Sequence, residues 1–208
     1  MSGARDAILG GIRRSLGRGA LDAARVATLE ARLDGHPRGR GPVRVRSAAE
    51  VPGELARYLK SQNLPSRVEM SPDPTLDAVP WSAAPMLEIA RGKPSGEEGV
   101  GVTSACAAVA ETATLVIASG ERSPATMNFL PDTHVVVLPA SRVVGPLEDA
   151  WDRLRAASAA PMAAATMPRT VNLVTGPSRT GDIEQKIEMG AHGPRRLHLI
   201  VVEDDALA

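Results

Sequence analysis

The sequence has very few aromatic residues and a single cysteine, and these shortages exclude several kinds of site. Its 208 residues include one tyrosine, one phenylalanine and two tryptophans, too few for an aromatic platform that stacks nucleic-acid bases. Cys106 has no second cysteine with which to form a disulfide. One thiol also cannot supply the ligands of an iron–sulfur cluster or a cysteine-based zinc site. Any such cluster has to belong to a partner.

Net charge and long apolar runs are also absent. Lysine plus arginine equals aspartate plus glutamate at 24 each, so no overall field attracts nucleic acid or an anionic membrane. No run of about 20 apolar residues is present for a membrane span, and the N-terminus lacks the apolar segment of a secretory signal. We therefore expect a cytoplasmic protein with no nucleic-acid partner and no membrane span.

Apolar spacing divides the chain into an N-terminal arm and a larger domain. Apolar residues at four-residue intervals predict amphipathic helices at residues 4–16 and 21–33. Residues 34–46 are rich in glycine, proline and arginine, which is typical of a connector with solvated arginines. We expect a helical arm and linker over residues 1–46 and an α/β domain over residues 47–208.

Within the larger domain, short apolar runs alternate with helical patterns. The pattern predicts strands at residues 67–70, 86–90, 100–102, 114–118, 134–138, 171–174 and 196–202. It predicts helices at residues 51–59, at residues 105–110 and after Gly145-Pro146. This alternation predicts an α/β fold with a mainly parallel central sheet and helices on both faces.

Residues 171–189 combine a predicted strand, a polar turn and a predicted helix start. Thr180 would cap this helix, and Asp182 would lie in its first turn. A helix start presents unpaired N–H groups, so the hydroxyls and the guanidinium of the turn would form an anion site. The ligand-binding candidates of this turn are Thr175, Gly176, Ser178, Arg179, Thr180 and Asp182. The alternative is structural: the hydroxyls cap the helix, and Arg179 pairs with Asp182.

Five short motifs follow one another along the second half of the chain. They are GVTSA at 101–105, AET at 110–112, LP at 130–131 followed by His134, TGPSRTGDIE at 175–184 and GAHGP at 190–194. Together they resemble the LUD domain family, most closely its lactate utilization protein C branch, over residues 99–202. Ala113, Gly181 and Ala191 depart from the family pattern, which has glycine, alanine and valine there. If position 113 requires a positive φ, alanine costs about 1 kcal/mol.

The resemblance implies a fold like that of the ribose-5-phosphate isomerase, CoA-transferase and formyltetrahydrofolate cyclo-ligase group. It also implies membership of a three-protein system that oxidises L-lactate to pyruvate as an NAD-independent, lactate dehydrogenase-type complex. The other two subunits of that system carry iron–sulfur clusters, and we expect no cofactor in this chain. The resemblance assigns no catalytic step to this subunit.

Glu111 and His192 are the candidate catalytic residues. A carboxylate at Glu111 can act as a base, or as a nucleophile like that of the related CoA-transferases. His192, in a tight turn before the last strand, can transfer protons or orient a carboxylate. Each also has a structural alternative. Glu111 could be a turn carboxylate that is hydrogen-bonded to Thr112 or Thr114, and His192 could simply be part of the turn.

Thr103 and Thr112 complete the ligand-binding candidates, for a small carboxylate or a phosphate-bearing ligand. His134, His198 and Cys106 fit structural roles. No close-spaced pair of metal ligands is present, so we expect no metal site.

Two other functions stay open at this point. One is a stand-alone CoA-transferase-like or cyclo-ligase-like enzyme that uses Glu111. The other is a non-catalytic scaffold or regulatory subunit whose N-terminal arm docks the partners.

Overall fold

A computed structural model describes residues 2–17, 22–35, 41–92, 99–158, 167–183 and 186–203, with the main chain alone at 2, 32–35, 158, 180–183 and 186–188. The helices are α1 Ser2–Ser15, α2 Ala23–Gly35, α3 Val51–Ser61, α4 Pro74–Asp77 and α5 Leu147–Ser158. The strands are β1 Val43–Val45, β2 Arg67–Met70, β3 Glu88–Arg91, β4 Val100–Ser104, β5 Ala107–Val109, β6 Thr114–Ala118, β7 Thr133–Pro139, β8 Val143–Val144, β9 Val171–Val174, β10 Arg179–Ile183, β11 Lys186–Met189 and β12 Arg196–Val202.

The chain forms two compact units, Met1–Gly41 and Pro42–Ala208. The first contains α1 and α2, and both helices lie where the apolar spacing predicts them. Ile8 and Ile12 on α1, and Leu16 directly after it, are exposed. Within the described part of the chain, no helix is long and apolar enough to cross a membrane.

A six-stranded parallel sheet organises the second unit, which confirms the predicted α/β class. Its strand order is β1-β12-β7-β4-β2-β3. Strand β1 was not predicted, because residues 43–45 fall in the expected connector. These residues pair in parallel with Ile200, Val201 and Val202 at one edge of the sheet. The sheet therefore begins before residue 47.

A second, four-stranded sheet of order β8-β5-β6-β9 was also not predicted. The helix expected at residues 105–110 is wrong, because β5 lies there and its burial alternates with a period of two. The strands predicted at 114–118 and 171–174 exist, but they pair with each other in an antiparallel fashion, outside the parallel sheet. The small residues of β5 thus form a strand in which burial alternates from one residue to the next.

The expected helix after Thr180 is also wrong. Strands β10 and β11 form an antiparallel hairpin there, with Arg179 opposite Met189 and Thr180 opposite Glu188. β-Branched residues and Gly181 in this segment have low helix propensity. Asp182, which suggested a first helical turn, therefore lies on a strand.

Side chains on the two faces of β7 separate the layers of the core. Val135 and Val137 belong to the cluster that contains Leu55 and Leu59 of α3. Val136 packs instead on the opposite face, in the cluster formed with the second sheet. Helix α5 covers the far side of that sheet, through Ala150 packed with residues of β5 and β6. Helices thus lie on both sides of the parallel sheet, with a second sheet between it and α5.

Candidate functional site

Three of the motif segments meet around the loop that joins β9 to β10. Thr112 Oγ1 donates a hydrogen bond to Thr114 Oγ1 at 2.8 Å. Thr114 Oγ1 lies 2.9 Å from Thr175 Oγ1. The turn that contains Glu111 is therefore linked to the first residue of the loop through a chain of hydroxyl groups.

The same loop is bonded at its other end to the turn that precedes β12. Ser178 N–H donates to Pro194 O at 2.8 Å, and Ser178 O accepts from Gly190 N–H at 3.1 Å. Ser178 Oγ accepts from His192 N–H at 3.3 Å. We call the turn 111–113, the loop 175–179 and the turn 190–194 the motif surface.

Most side chains of the motif surface are exposed. Five of them are exposed: Glu111, Thr112, Thr175, Arg179 and His192. Glu111 is anchored through its backbone, with its N–H 3.3 Å from Gly145 O. The geometry leaves the acid, the guanidinium and the imidazole open to solvent or to a partner.

Apolar side chains lie beside the motif surface. Phe129 is 44% exposed, Leu130 52% and Met189 46%. A Cβ placed on Gly193 would lie 3.6 Å from Phe129 Cδ1 and 3.8 Å from Ser178 Cβ. Phe129, in the loop at residues 125–131, thus packs against the turn that contains His192 and adds exposed apolar area beside it.

The physical basis expected for the anion site is not present in the structure. The loop leads into β10, so no helix start directs unpaired N–H groups at a ligand there. It also lies beside Pro194, two residues before the amino end of β12, and not at the carboxyl end of a parallel strand. The side chains of Thr180 and Asp182, and with them the expected Arg179–Asp182 pair, lie outside the described residues.

Thr103 and His134 are separate from the motif surface, inside the domain. Thr103 Oγ1 lies 2.7 Å from His134 Nε2. Thr103 is 0% exposed and His134 1%. Burial lowers the pKa of His134 from 6.5 to about 4, because the charged imidazolium loses its hydration. The imidazole is therefore neutral at pH 7, and its Nε2 can accept a hydrogen bond from the Thr103 hydroxyl.

His198 is held in a second partly buried contact, on the side of the sheet that faces α3. Its ring stacks on Tyr58 with centroids 3.8 Å apart, and its Nε2 lies 3.2 Å from Glu54 Oε1. Burial lowers the pKa of His198, and Glu54 opposes this effect. These contacts fit the structural role expected for this residue.

A polar group that the sequence reasoning missed lies at the carboxyl ends of β2 and β4. Asp73 Oδ2 accepts from Ser104 Oγ at 2.6 Å, and Asp73 Oδ1 accepts from Thr75 N–H at 2.8 Å. Arg142 donates to Thr75 Oγ1 at 3.0 Å and to Ala105 O at 3.1 Å. We call Ser71, Asp73, Thr75, Ser104 and Arg142 the carboxyl-edge cluster.

Burial and charge act against each other in this cluster. Burial lowers the pKa of Arg142, whereas the nearby carboxylate of Asp73 raises it. Ser71 Oγ is buried, and it has no hydrogen-bond partner within the described ranges. A polar sequence, Ser71-Pro72-Asp73-Pro74, directly after a predicted strand was the available signal. Arg142 lies 69 residues beyond Asp73 in the sequence, and only the fold brings the two together.

No group of three or more histidine, cysteine, aspartate or glutamate side chains that could hold a metal ion occurs in the described part of the chain.

Comparison with known proteins places the motifs in a wider context. The sequence profile of the LUD domain matches residues 76–202, a longer range than the motifs alone indicate. Lactate utilization protein C of Bacillus velezensis is 32% identical over 108 residues, which are 52% of this chain and 44% of that protein. Lactate utilization protein C of Bacillus subtilis is 32% identical over 112 residues, which are 54% of this chain and 45% of that protein.

A solved structure is similar to almost the whole chain. It is a DUF162 family protein from Deinococcus radiodurans, with a TM-score of 0.52 and 21% sequence identity. The similarity covers 88% of this chain and 100% of that one. It supports the fold and carries no functional argument. The curated relatives, in contrast, are matched over less than half their length.

Proposed function

The chain belongs to the LUD domain family, and from this membership we propose that it is a subunit of a system that oxidises L-lactate to pyruvate. One observation carries the proposal: the aligned relatives are named lactate utilization protein C. In this role the iron–sulfur clusters that the family resemblance implies lie in partner subunits, and the single cysteine of this chain is compatible with that arrangement.

The motif surface is the part of the chain that this role uses. It exposes Glu111, Arg179 and His192 beside an apolar rim formed by Phe129, Leu130 and Met189. Apolar area next to charged groups is typical of surfaces that bind partners or ligands. Arg179 offers a guanidinium for a small carboxylate or phosphate group, and Glu111 and His192 can orient it or exchange its protons.

Growth on L-lactate tests this role. A strain deleted for the gene should grow on L-lactate when it carries the wild-type chain and should fail to grow with Arg179→Ala. Arg155→Ala is the matched control, because Arg155 is an exposed arginine whose partner is Asp152 on the same helix. Growth of the Arg179 variant at the wild-type rate, with equal protein levels, would exclude a role for this guanidinium.

Co-purification tests the partners separately. The tagged wild-type chain should retain iron-containing subunits from cells grown on L-lactate, and Phe129→Ser should retain fewer, because it removes exposed apolar area from the rim. Thr126→Ala, an exposed position in the same loop, is the control. If the wild-type chain retains no iron, the proposed partnership is wrong.

A further inference from the structure

The neutral charge of the whole chain conceals a division between its two compact units. Residues 1–41 contain eight arginines and four acidic residues, a net charge of +4. Residues 42–208 contain 16 basic and 20 acidic residues, a net charge of −4. Such an asymmetry is typical of a basic segment that binds an anionic surface. The first unit is therefore electropositive, although the chain as a whole is neutral.

Helix α1 presents an apolar stripe to solvent. Ile8, Ile12 and Leu16 follow one another at intervals of four residues, and Leu9 lies three residues before Ile12, so these side chains share one face of a helix. Leu16 extends the helix by one residue, because its N–H donates to Ile12 O at 3.0 Å. All four are exposed, from 38% at Leu9 to 63% at Ile8. We call these four residues the α1 stripe.

The described part of the first unit has no interior that could bury the α1 stripe. Among the side chains described at residues 3–17 and 22–31, none is buried. Val26 and Leu29 of α2 are exposed as well. Helices of 14 and 13 residues are marginal in water unless an apolar face is packed. A surface that covers the α1 stripe would therefore stabilise the helix that carries it.

The positions of the arginines indicate what kind of surface this is. Arg5 lies three residues before Ile8 and seven before Ile12, so it shares the face of the α1 stripe. A protein interface that buried this face would desolvate the guanidinium, which is costly unless an acid pairs with it. At a lipid surface the same side chain keeps its aliphatic part among the acyl chains and extends its guanidinium to a headgroup phosphate. The basic residues of the last turn, Arg13 and Arg14, add to the positive charge of the helix.

We propose that helix α1 binds the surface of a bilayer that contains anionic phospholipid. The α1 stripe inserts below the headgroups, and the arginines contact lipid phosphates. Four aliphatic side chains supply a modest apolar area, so binding is reversible and also requires the attraction between opposite charges. The proposal rests on the first unit alone and is independent of the proposed role in lactate oxidation.

Co-sedimentation of the purified full-length chain with vesicles tests the proposal. The chain should sediment with vesicles made of phosphatidylcholine and phosphatidylglycerol in equal parts. It should bind vesicles of phosphatidylcholine alone at least about tenfold more weakly, because the attraction of several arginines to anionic lipid is lost. High salt should weaken binding to the anionic vesicles. A chain that stays in the supernatant with the anionic vesicles would refute the proposal.

Two glutamine variants of α1 test the apolar stripe at constant charge. Ile12→Gln should weaken binding to the anionic vesicles about tenfold, the factor expected when one large aliphatic side chain is no longer buried. Ala7→Gln is the matched control, because Ala7 is exposed on the opposite face of the same helix. It should bind as the wild-type chain does. Equal binding by Ile12→Gln and Ala7→Gln would mean that the stripe does not insert.

Two further variants separate the position of an arginine from the total charge. Arg5→Gln should weaken binding about fivefold, the contribution of one arginine at an anionic surface. Arg25→Gln removes the same charge from an exposed position on α2, and its loss should be smaller. Equal losses would show a diffuse attraction to the whole unit and would overturn the assignment to α1. All four positions are exposed, so thermal unfolding of each variant should match that of the wild-type chain.

Sedimentation equilibrium without vesicles distinguishes a bilayer from a second copy of the chain. A wild-type monomer that binds anionic vesicles agrees with the proposal. If the α1 stripe pairs with a second copy instead, the wild-type chain should be a dimer and Ile12→Gln a monomer, and this result would overturn the proposal. Growth on L-lactate is not measured in any of these assays, so a negative result here leaves the proposed function untouched.

Discussion

The motif surface and the carboxyl-edge cluster present their polar groups in opposite ways. On the motif surface the acid, the guanidinium and the imidazole are exposed, and the hydrogen bonds that link its segments join hydroxyl and backbone groups. In the carboxyl-edge cluster, Ser104 and Thr75 are buried and bonded to Asp73 and Arg142. The motif surface can therefore change its side chains with little effect on the fold, whereas the cluster cannot.

The motif surface is easy to recognise in the sequence but lies outside the core, whereas the carboxyl-edge cluster is hard to recognise but is part of the buried structure. The motif surface is built from three short segments, and each of them contains a motif that can be recognised in the sequence. The cluster also draws on three stretches, residues 71–75, Ser104 and Arg142, but these come together only in the folded chain, where β2 and β4 are neighbours in the sheet. Stability should therefore respond most where polar groups are buried, and the predictions below test this contrast from the largest effect to the smallest.

The largest effect concerns His134, the most buried titratable group described above. Its pKa of about 4 in the folded state lies below the value of 6.5 for an exposed histidine. Between these values the unfolded chain binds more protons, so stability is present above pH 6.5 and is lost as the pH falls toward 4. At about 1.4 kcal/mol per pKa unit, the loss amounts to ~3 kcal/mol.

Urea unfolding of the wild-type chain and of His134→Gln, between pH 7 and pH 4.5, measures this term. The variant should lose about 2–3 kcal/mol less over that range. His198 is present in both proteins and cancels from the difference. Equal acid dependence in His134→Gln would mean that His134 is not buried as a neutral group.

Gly101 tests how tightly the loop at residues 125–131 is held over β4. A Cβ on Gly101 would lie 2.7 Å from Pro131 Cγ and 3.3 Å from Met127 O. Gly101→Ala should therefore displace this loop and lower the free energy of unfolding by about 2 kcal/mol. Gly120→Ala is the control, because nothing lies within 4 Å of its Cβ. Similar losses in both variants would show that the packing over Gly101 is loose.

One chemical change, serine to alanine, compares the two regions directly. Ser104→Ala removes the buried donor to Asp73, and it should cost about 1.5–3 kcal/mol because the bond is to a charged group. Ser178→Ala removes an acceptor 3.3 Å from an exposed backbone N–H, and it should cost less than about 0.5 kcal/mol. Thermal or urea unfolding of both variants measures the two losses in the free energy of unfolding. A larger loss at Ser178 would reverse the contrast between the regions.

The sequence predicted the apolar part of the fold well. Strands β7 and β12 follow from near-continuous apolar runs, and helices α3 and α5 follow from clear helical spacing. The second sheet was missed because β5 consists of small residues that suit a helix equally well. Strand β1 was missed because its three residues are ordered by pairing with β12, a partner more than 150 residues away.

The candidate site was predictable only in part, for a related reason. The resemblance identifies the motifs, and the contacts of Thr112, Thr175 and Ser178 link three of them on one surface. Thr103 lies instead between the sheets, bonded to His134. The helix expected at Thr180 supplied the physical argument for an anion, and the hairpin removes that argument. The position of Thr103 and the strand at Thr180 both depend on strand pairing, which local sequence patterns do not encode.

The smallest effect concerns Ala113, in the turn of the motif surface that contains Glu111. Its φ is +52°, the left-handed region that glycine adopts without strain and alanine does not. Ala113→Gly relieves this strain, but glycine also gives the unfolded chain more conformational entropy, which opposes the gain. The free energy of unfolding should therefore rise by about 0.5–1 kcal/mol.

Ala110→Gly, three residues earlier, should change the free energy of unfolding in the opposite direction. Its φ is not positive, since only Asn63 and Ala113 among the described non-glycine residues have that conformation. Glycine there should lower stability by up to about 1 kcal/mol. Opposite signs from the same substitution would establish that the turn around Glu111 holds its strained geometry in solution. A loss of stability in both variants would mean that the turn relaxes, and Glu111 would then lack the fixed position that a role in orienting a ligand requires.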